Sequence, residues 1–171
     1  FATAGIAAPT LFDAIADEAL GRLSEFDSQE LANMVWAFAC VDWAQNQTFF
    51  LEIGLALVEQ GEELNETMKS QLYVVALYVQ LKWPGLEFPL LSSLESLRSA
   101  YVNCELRPSQ LQRNVSAMLA ELGWSHTFEH ETSEGFSLDL AEPDAKRAIE
   151  VDGPWHYHRD AASGEYVING A

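Results

Sequence analysis

Residues 136–152 read FSLDLAEPDAKRAIEVD, and this stretch decides the fold class because its apolar residues alternate, whereas the pattern before Gly123 is helical. Phe136, Leu138 and Leu140 alternate with polar residues, and so do Ile149 and Val151. Alternation of this kind predicts two β-strands. The short link between them contains a Pro-Asp turn pattern, which favours an antiparallel hairpin.

The hairpin predicts a pair of carboxylates. Asp139 and Glu150 occupy the polar positions of the two strands, so the pairing brings them side by side on one face. Two such acids can share a cation.

Before Gly123 the pattern is helical and repeats itself. Residues 10–27 recur in residues 48–65 at an offset of 38, with TLF, Ile and FD of the first copy matching TFF, Ile and LN of the second. Trp43 of the first copy corresponds to Trp83 of the second, at an offset of 40. We therefore predict helix-pair repeats of the α-solenoid type, each leaving an apolar face that a neighbouring pair covers.

Local signals place the helix ends. Asp27 or Ser28, Asn65, and Ser109 are predicted to begin helices, and Gly61 to end one. Ser92-Ser93 with Glu95 forms a capping-box pattern that predicts another short helix. The expected buried stripes are Leu11, Phe12, Ile15, Ala19 and Leu23; Leu31, Val35, Phe38 and Ala39; Phe49, Phe50, Ile53 and Leu57; and Leu72, Val75, Ala76 and Val79.

The composition limits the class of protein. The 171 residues carry a formal charge of −17, a field that repels phosphate backbones and anionic lipid. No apolar run reaches the roughly 20 residues of a membrane span. Cys40 and Cys104 are expected to be free thiols. Because Phe1-Ala2 matches the inside of a repeat, we expect the chain to be a fragment of a longer protein.

The segment from about Leu111 carries a family resemblance. It contains MLAELGW, FEHETSEGFSLDLA, RAIEVDGPWHYH and GEYVINGA, and it resembles the RAP domain of organellar RNA-binding proteins. The preceding LFDAIA and EFDSQELANMVWAFA resemble the octotricopeptide and FAST-kinase-like repeats of algal and protist proteins. The resemblance implies an α+β chain in a chloroplast or mitochondrion, with helical repeats at 1–88, a connecting helix at 89–110 and a C-terminally truncated RAP domain at 111–171.

The RAP domain is similar in turn to restriction-endonuclease-like nucleases, in which an Asp and a Glu-x-Lys hold Mg²⁺. Asp139 and Glu150 match two of these positions, whereas Asp152 stands where the nuclease pattern has Lys. Hydrolysis needs a group that activates water and stabilises developing charge, and this departure removes one. Three interpretations follow: an active Mg²⁺ site, a vestigial acidic site that is not catalytic, or acids that merely face solvent.

The aromatic and imidazole residues that follow are weaker candidates. His156 and His158 share one face if the chain there is extended, and with that geometry they can supply nitrogen ligands or a general base. Trp155 lies between the acids and these imidazoles. The ordinary alternative is that Trp155 packs while the imidazoles stay at the rim.

Three functions remain open. The resemblance implies an organellar module that binds single-stranded RNA for processing, stability or translation. The acidity favours a protein-interaction scaffold of a large organellar complex, because residues 1–104 hold 14 acids against 4 Lys or Arg, and residues 105–171 hold 12 against 5. A metal-dependent nuclease is the third function. A DNA partner is not expected.

Overall fold

The computed structural model describes residues 8–61, 63–103 and 108–153, together with the backbone of 157–159 and 166–168. The chain divides into two compact units, the first of which ends at Asn103. The division falls inside the segment predicted as a connector, 89–110. Each unit is described by itself.

The first unit is helical. Its helices are α1 (Pro9–Leu20), α2 (Ser28–Cys40), α3 (Gln47–Gln60), α4 (Glu66–Lys82) and α5 (Leu94–Val102), with 3-10 turns at Leu23–Glu25 and Pro89–Ser93. α1 packs on α3, α2 packs on both α3 and α4, and α5 packs on α4. No strand occurs between residues 8 and 103 in the part that the structure describes, as the helical period predicted.

The helix ends follow from their capping residues. Asp27 accepts from the backbone N–H of Glu30, whose carboxylate accepts from the N–H of Asp27, so a capping box begins α2. Asn65 accepts from the N–H of Met68 at the start of α4. Gly61 ends α3 in the left-handed conformation with φ of 61°, which glycine adopts without steric cost. All three predictions are confirmed.

The core of the first unit is aromatic. Phe38 is 2% exposed, and its ring centroid lies 4.9 Å from that of Phe12, 5.0 Å from Trp43 and 4.3 Å from Phe49. The stripes predicted on α2, α3 and α4 are all buried. At the edge of this core, the buried Ser28 hydroxyl at the start of α2 donates a hydrogen bond to Gln60 at the end of α3, at 2.5 Å.

Two local predictions are wrong. α1 buries Phe12, Ala16 and Ala19, and leaves Leu11 and Ile15 more than a third exposed, because small alanines face the core. At the start of α5, Ser93 makes no side-chain cap, since the 3-10 turn Pro89–Ser93 runs directly into the helix and supplies its backbone partners.

The second unit combines a helix with two small sheets. Its elements are α6 (Gln110–Glu121), β1 (Thr127–Glu131), β2 (Ser137–Glu142), β3 (Arg147–Ile149), β4 (Tyr157–Arg159) and β5 (Tyr166–Ile168). A capping box between Ser109 and Gln112 begins α6, as predicted. The order β1-β2-β3 is antiparallel throughout, and β4 pairs with β5. The predicted β2–β3 hairpin is therefore confirmed, and the chain is α+β.

Two further predictions concern thiols and membranes. The Cys40 thiol is free and half-buried, and burial raises its pKa. Cys104 lies outside the described residues. Among the helices that the structure describes, none is both long enough and apolar enough to cross a bilayer.

Candidate functional site

The β2–β3 register puts Asp139 and Glu150 side by side. Leu140 pairs with Ile149 across the two antiparallel strands, so the next pair outward is Asp139 with Glu150, the first residue after β3. Residues directly opposite in an antiparallel pair project from the same face of the sheet. The neighbourhood predicted from the alternating pattern is the one that the pairing gives.

Both carboxylate oxygens of Asp139 accept hydrogen bonds from the protein. Gln112 Nε2 donates to Oδ1 at 2.5 Å, and the backbone N–H of Val151 donates to Oδ2 at 2.7 Å. Gln112 is also the residue whose side chain accepts from the N–H of Ser109 in the α6 capping box. Asp139 therefore links the start of α6 to the segment that follows β3.

Glu129 is a residue of this region that sequence reasoning missed. It lies opposite Asp139 in the β1–β2 register but is skipped by the ladder, and its φ is 52°. A left-handed conformation at a residue with a Cβ costs about 1–2 kcal/mol. Its carboxylate accepts from Ser137 Oγ at 2.9 Å. No signal in the sequence marks this residue, because its left-handed conformation interrupts a pairing with the neighbouring strand.

The electrostatics of the face are set by acids. Partial burial raises the pKa of Glu150 above its ordinary value, and the nearby charges of Asp139, Asp152 and Glu129 raise it further. A backbone hydrogen bond associated with Asp139 acts in the opposite direction. At a given pH the protonated form of Glu150 is therefore more populated than that of an isolated glutamate.

The structure describes the other predicted site residues to different extents. Asp152 is exposed, lies beyond the end of β3 and is near enough to Glu150 for its charge to raise the pKa of that carboxyl. Trp155 and His156 lie outside the described residues, and of His158 only the backbone is described, on β4. Across the part of the chain that the structure describes, no three His, Cys, Asp or Glu side chains form a group suited to a metal ion. Assignment of Asp139, Glu150 and Asp152 to Mg²⁺ or catalysis stays a prediction.

A second feature, on the helical unit, is a row of amide side chains joining α2 to α4. Asn65 Nδ2 donates to Gln29 Oε1 at 3.2 Å, and Gln29 Nε2 donates to Asn33 Oδ1 at 3.1 Å. Gln71 Nε2 donates to the same Asn33 oxygen at 3.1 Å. We call these four residues the amide row. Asn33 and Gln71 are 38 residues apart, the offset of the repeats, and that spacing is the signal that sequence reasoning overlooked.

Charge is distributed unevenly over the helical unit. α1 and α3 carry five exposed carboxylates and no Lys or Arg, whereas α2 and α4 carry two carboxylates and two lysines. Both lysines belong to α4: Lys69 pairs with Glu66 at 2.8 Å and Lys82 pairs with Asp42 at 2.6 Å. The residues of α2 and α4 themselves are therefore balanced in charge, while Asp27 and Asp42 at the two ends of α2 add negative charge. The five carboxylates are Asp13, Asp17, Glu18, Glu52 and Glu59.

An open groove lies on the acidic side. It has a volume of about 450 Å³ and runs between α3 and the turn that follows α1. Leu55 is 43% exposed in its lining, and Glu52 and Glu59 stand at its edge. The groove thus combines apolar surface with negative charge, which suits a basic peptide better than a polyanion.

Comparison with known proteins finds one informative relative. A RAP domain-containing chloroplastic protein of Oryza sativa subsp. japonica is 28% identical over 147 residues, which cover 79% of this chain and 22% of the relative. Over most of its length the chain is therefore similar to a chloroplastic RAP domain-containing protein. No protein-family model and no solved structure matches it.

This similarity supports the resemblance to RAP domain proteins, whereas the repeat character of the helices stays a prediction. By that resemblance the chain is placed in a chloroplast or mitochondrion, since the relative is chloroplastic. The chain spans about a fifth of the length of that relative. The activity and partners of the RAP protein as a whole are accordingly a matter for proposal.

Proposed function

We propose that this chain is a non-catalytic RNA-binding part of an organellar RAP domain protein that acts in RNA processing, stability or translation. Two observations support the proposal: the similarity to a chloroplastic RAP domain-containing protein, and the balanced charge of the residues of α2 and α4. The second observation matters more, because the negative net charge of the whole chain would otherwise oppose RNA binding.

The acidity of the whole chain does not fall equally on every surface. An RNA strand approaching α1 and α3 meets five carboxylates, and the strand is repelled. Along α2 and α4 it meets amides, two lysines and two carboxylates, so the repulsion there is smaller. Single-strand binding draws on phosphate contacts, hydrogen bonds and base stacking, so a face with little charge binds weakly but can still select bases.

The proposed architecture extends the same logic. The α1–α2 and α3–α4 pairs are two units of an α-solenoid, with α2 and α4 on the RNA side. α6 with β1–β3 forms part of a RAP domain of the restriction-endonuclease-like type. The α1–α3 and α2–α4 packing supports the first statement, and the hairpin that brings Asp139 to Glu150 supports the second.

The absence of catalysis is argued from Asp139 and Asp152. Both oxygens of Asp139 already accept protein N–H groups, and Asp152 replaces the Lys of the nuclease pattern. A carboxylate pair of this kind can hold Mg²⁺, yet it lacks the cation that would assist a hydroxide nucleophile. Asp139, Glu150 and Asp152 therefore represent a vestigial site in this proposal.

The test is a salt titration with labelled single-stranded RNA and DNA of equal sequence, followed by fluorescence anisotropy. We expect a dissociation constant for RNA of about 10 μM or weaker, within the ordinary range of non-specific binding. With two lysines on the face, the slope of log K against log salt should not exceed about 1.4. DNA should bind more weakly, since it lacks the 2′-hydroxyl.

A matched pair of variants tests the surface. Replacing both Lys69 and Lys82 by alanine should reduce the salt slope towards zero, whereas replacing Lys146, in the turn of the β2–β3 hairpin, should leave it unchanged. Binding of RNA that is undetectable at 100 μM protein and low salt would refute the proposed function.

The alternative is a scaffold that binds protein, and the groove favours it. Glu52, Glu59 and exposed Leu55 suit a partner segment that mixes Lys or Arg with apolar residues. A Leu55→Asp variant should abolish binding of such a segment and leave RNA binding intact. If full-length protein binds no RNA while Leu55→Asp loses a defined basic partner, the scaffold function replaces the RNA function.

A further inference from the structure

We propose that Asn33 and Gln71 contact the edge of an unpaired base in single-stranded RNA, one amide from each of two successive helix pairs. This inference rests on the proposed RNA-binding function and assigns its base-reading residues. It follows from the hydrogen bonding of the amide row, the burial of one of its atoms, and the spacing of its members.

The hydrogen bonds leave a particular set of groups unused. Asn33 Oδ1 accepts from both Gln29 and Gln71, so the acceptor of Asn33 is occupied while its Nδ2 group keeps two protons to donate. Gln71 donates through Nε2, and its Oε1 has no hydrogen-bond partner among the described residues. A donor and an acceptor therefore remain on adjoining side chains.

The Gln71 oxygen is the unusual member. It is buried from solvent, although Gln71 as a whole is only half-buried. An acceptor buried without a donor is costly, and the cost is removed by any ligand that supplies the donor. In the proposed complex the Gln71 amide turns so that Oε1 accepts from the base, and the base replaces the hydrogen bond that Gln71 Nε2 makes to Asn33.

The chemistry of these two groups matches a nucleobase. Each RNA base presents hydrogen-bond donors and acceptors next to one another on its edge, and unpaired bases leave those edges open. Amide side chains read such edges because one planar group both donates and accepts. A carboxylate at either position would supply only acceptors and would add to the repulsion that a phosphate meets from Glu30 and Glu66.

The spacing supports joint contact with one base by two consecutive helix pairs. Asn33 on α2 and Gln71 on α4 are separated by the repeat offset of 38, and their side chains are hydrogen-bonded to each other. In helical-repeat proteins that read RNA, two or three side chains together contact each base. Gln29 and Asn65 then act as positioning residues, since they fix the Asn33 amide by the chain of hydrogen bonds from Asn65.

The experiment measures base preference in the full 171-residue chain. A fluorescent oligouridine of 16 nucleotides is compared with versions that carry A, C or G at one or at two adjacent central positions. We expect the wild-type chain to prefer at least one substituted RNA by about fivefold or more. The Asn33→Ala/Gln71→Ala variant should lose that preference and keep most of its affinity for oligouridine.

The matched control is a second amide pair. Gln110 Nε2 donates to Asn114 Oδ1 at 2.9 Å on α6, so Gln110→Ala/Asn114→Ala removes the same groups from the other unit. This control should keep the wild-type preference. Circular dichroism melting of each variant checks that the helices remain folded.

The outcomes separate this inference from the function on which it rests. Binding of all RNAs with equal affinity by the wild-type chain, or a preference that survives in Asn33→Ala/Gln71→Ala, overturns the base-reading assignment and leaves RNA binding in place. Binding of none of the RNAs overturns both. Loss of preference in the α6 control as well as in the α2–α4 variant also overturns the assignment.

Discussion

Replacing Asp139 by alanine removes one acceptor that two parts of the second unit share. Gln112 of α6 donates to one of its oxygens at 2.5 Å, and the N–H of Val151 donates to the other at 2.7 Å. Because each oxygen of Asp139 accepts a hydrogen bond from the protein, Asp139 is expected to be a structural residue. The substitution should then destabilise α6 and the end of the hairpin together.

The magnitude follows from the contacts. A hydrogen bond to a charged group contributes about 1.5–3 kcal/mol, and two bonds at the lower end of that range give about 3 kcal/mol. The loss of charge also relieves the repulsion between Asp139 and Glu150, which offsets part of this cost. We expect a net destabilisation on the order of 2 kcal/mol, and about half of that for Asp139→Asn, which keeps one acceptor oxygen.

Hydrogen exchange resolved by mass spectrometry provides the assay, because it reports each unit separately. Peptides covering residues 110–121 and 147–153 should exchange roughly 30-fold faster in Asp139→Ala, the factor that corresponds to 2 kcal/mol in the opening equilibrium. Peptides from α2 and α4 should be unaffected. Asp144→Ala is the matched control, since Asp144 is an exposed acid in the turn between β2 and β3.

Two results would refute this reasoning. Equal exchange in Asp139→Ala and Asp144→Ala would show that the two hydrogen bonds contribute nothing to the unit. Protection of these peptides by millimolar Mg²⁺ in the wild type, absent in Asp139→Ala, would show instead that the carboxylate binds metal in the folded state.

Three further predictions concern activity, pH and the core. Incubation of labelled single-stranded RNA with the chain and Mg²⁺ or Mn²⁺ should give no more cleavage than Asp139→Ala, and metal-dependent cutting that this substitution abolishes would identify a nuclease. Glu150→Gln should stabilise the second unit at pH 7 but not below about pH 4.3, the ordinary glutamate pKa. Below that pH the Glu150 carboxyl is protonated in both the folded and the unfolded chain. Above the raised pKa of the folded chain, the folded state carries an ionised Glu150 that is less stable there than in the unfolded chain. Urea titrations at both pH values measure the difference, and an equal effect at both would contradict the assigned cause. Phe38→Ala should lower the free energy of unfolding of the first unit by about 3–5 kcal/mol, against less than about 0.5 kcal/mol for Leu55→Ala at an exposed position; similar losses in denaturant melts would mean that the aromatic cluster is not the core.

Local chemistry made the helix ends predictable. Asp27, Asn65 and Ser109 each accept a hydrogen bond from a backbone N–H within their own first turn, so three or four residues of sequence contain the whole interaction. The β2–β3 pairing was predictable for a similar reason, since alternation and a short turn fix the register of a hairpin. The same register put Asp139 next to Glu150.

Features that depend on a partner far away in the chain could not be predicted from the sequence. Alanines rather than Ile15 face the core from α1, and the apolar pattern ranks the larger side chain higher. The interrupted ladder at Glu129 depends on its pairing with β2, and one of the two hydrogen bonds to Asp139 comes from Gln112, 27 residues earlier. The amide row was hidden because Gln29, Asn33, Asn65 and Gln71 look like ordinary surface residues until α2 meets α4.

The carboxylates of α1 and α3 bear on how such a protein would find its target in an organelle crowded with transcripts. Affinity for phosphate is shared by every RNA, so it adds equally to the right and the wrong complexes. Occupancy of a rare site depends on the ratio of specific to non-specific affinity multiplied by the number of competing sites. Carboxylates on α1 and α3 lower the non-specific affinity for every transcript. In the proposed function, more copies of the protein then stay free to bind a preferred sequence through the amide row.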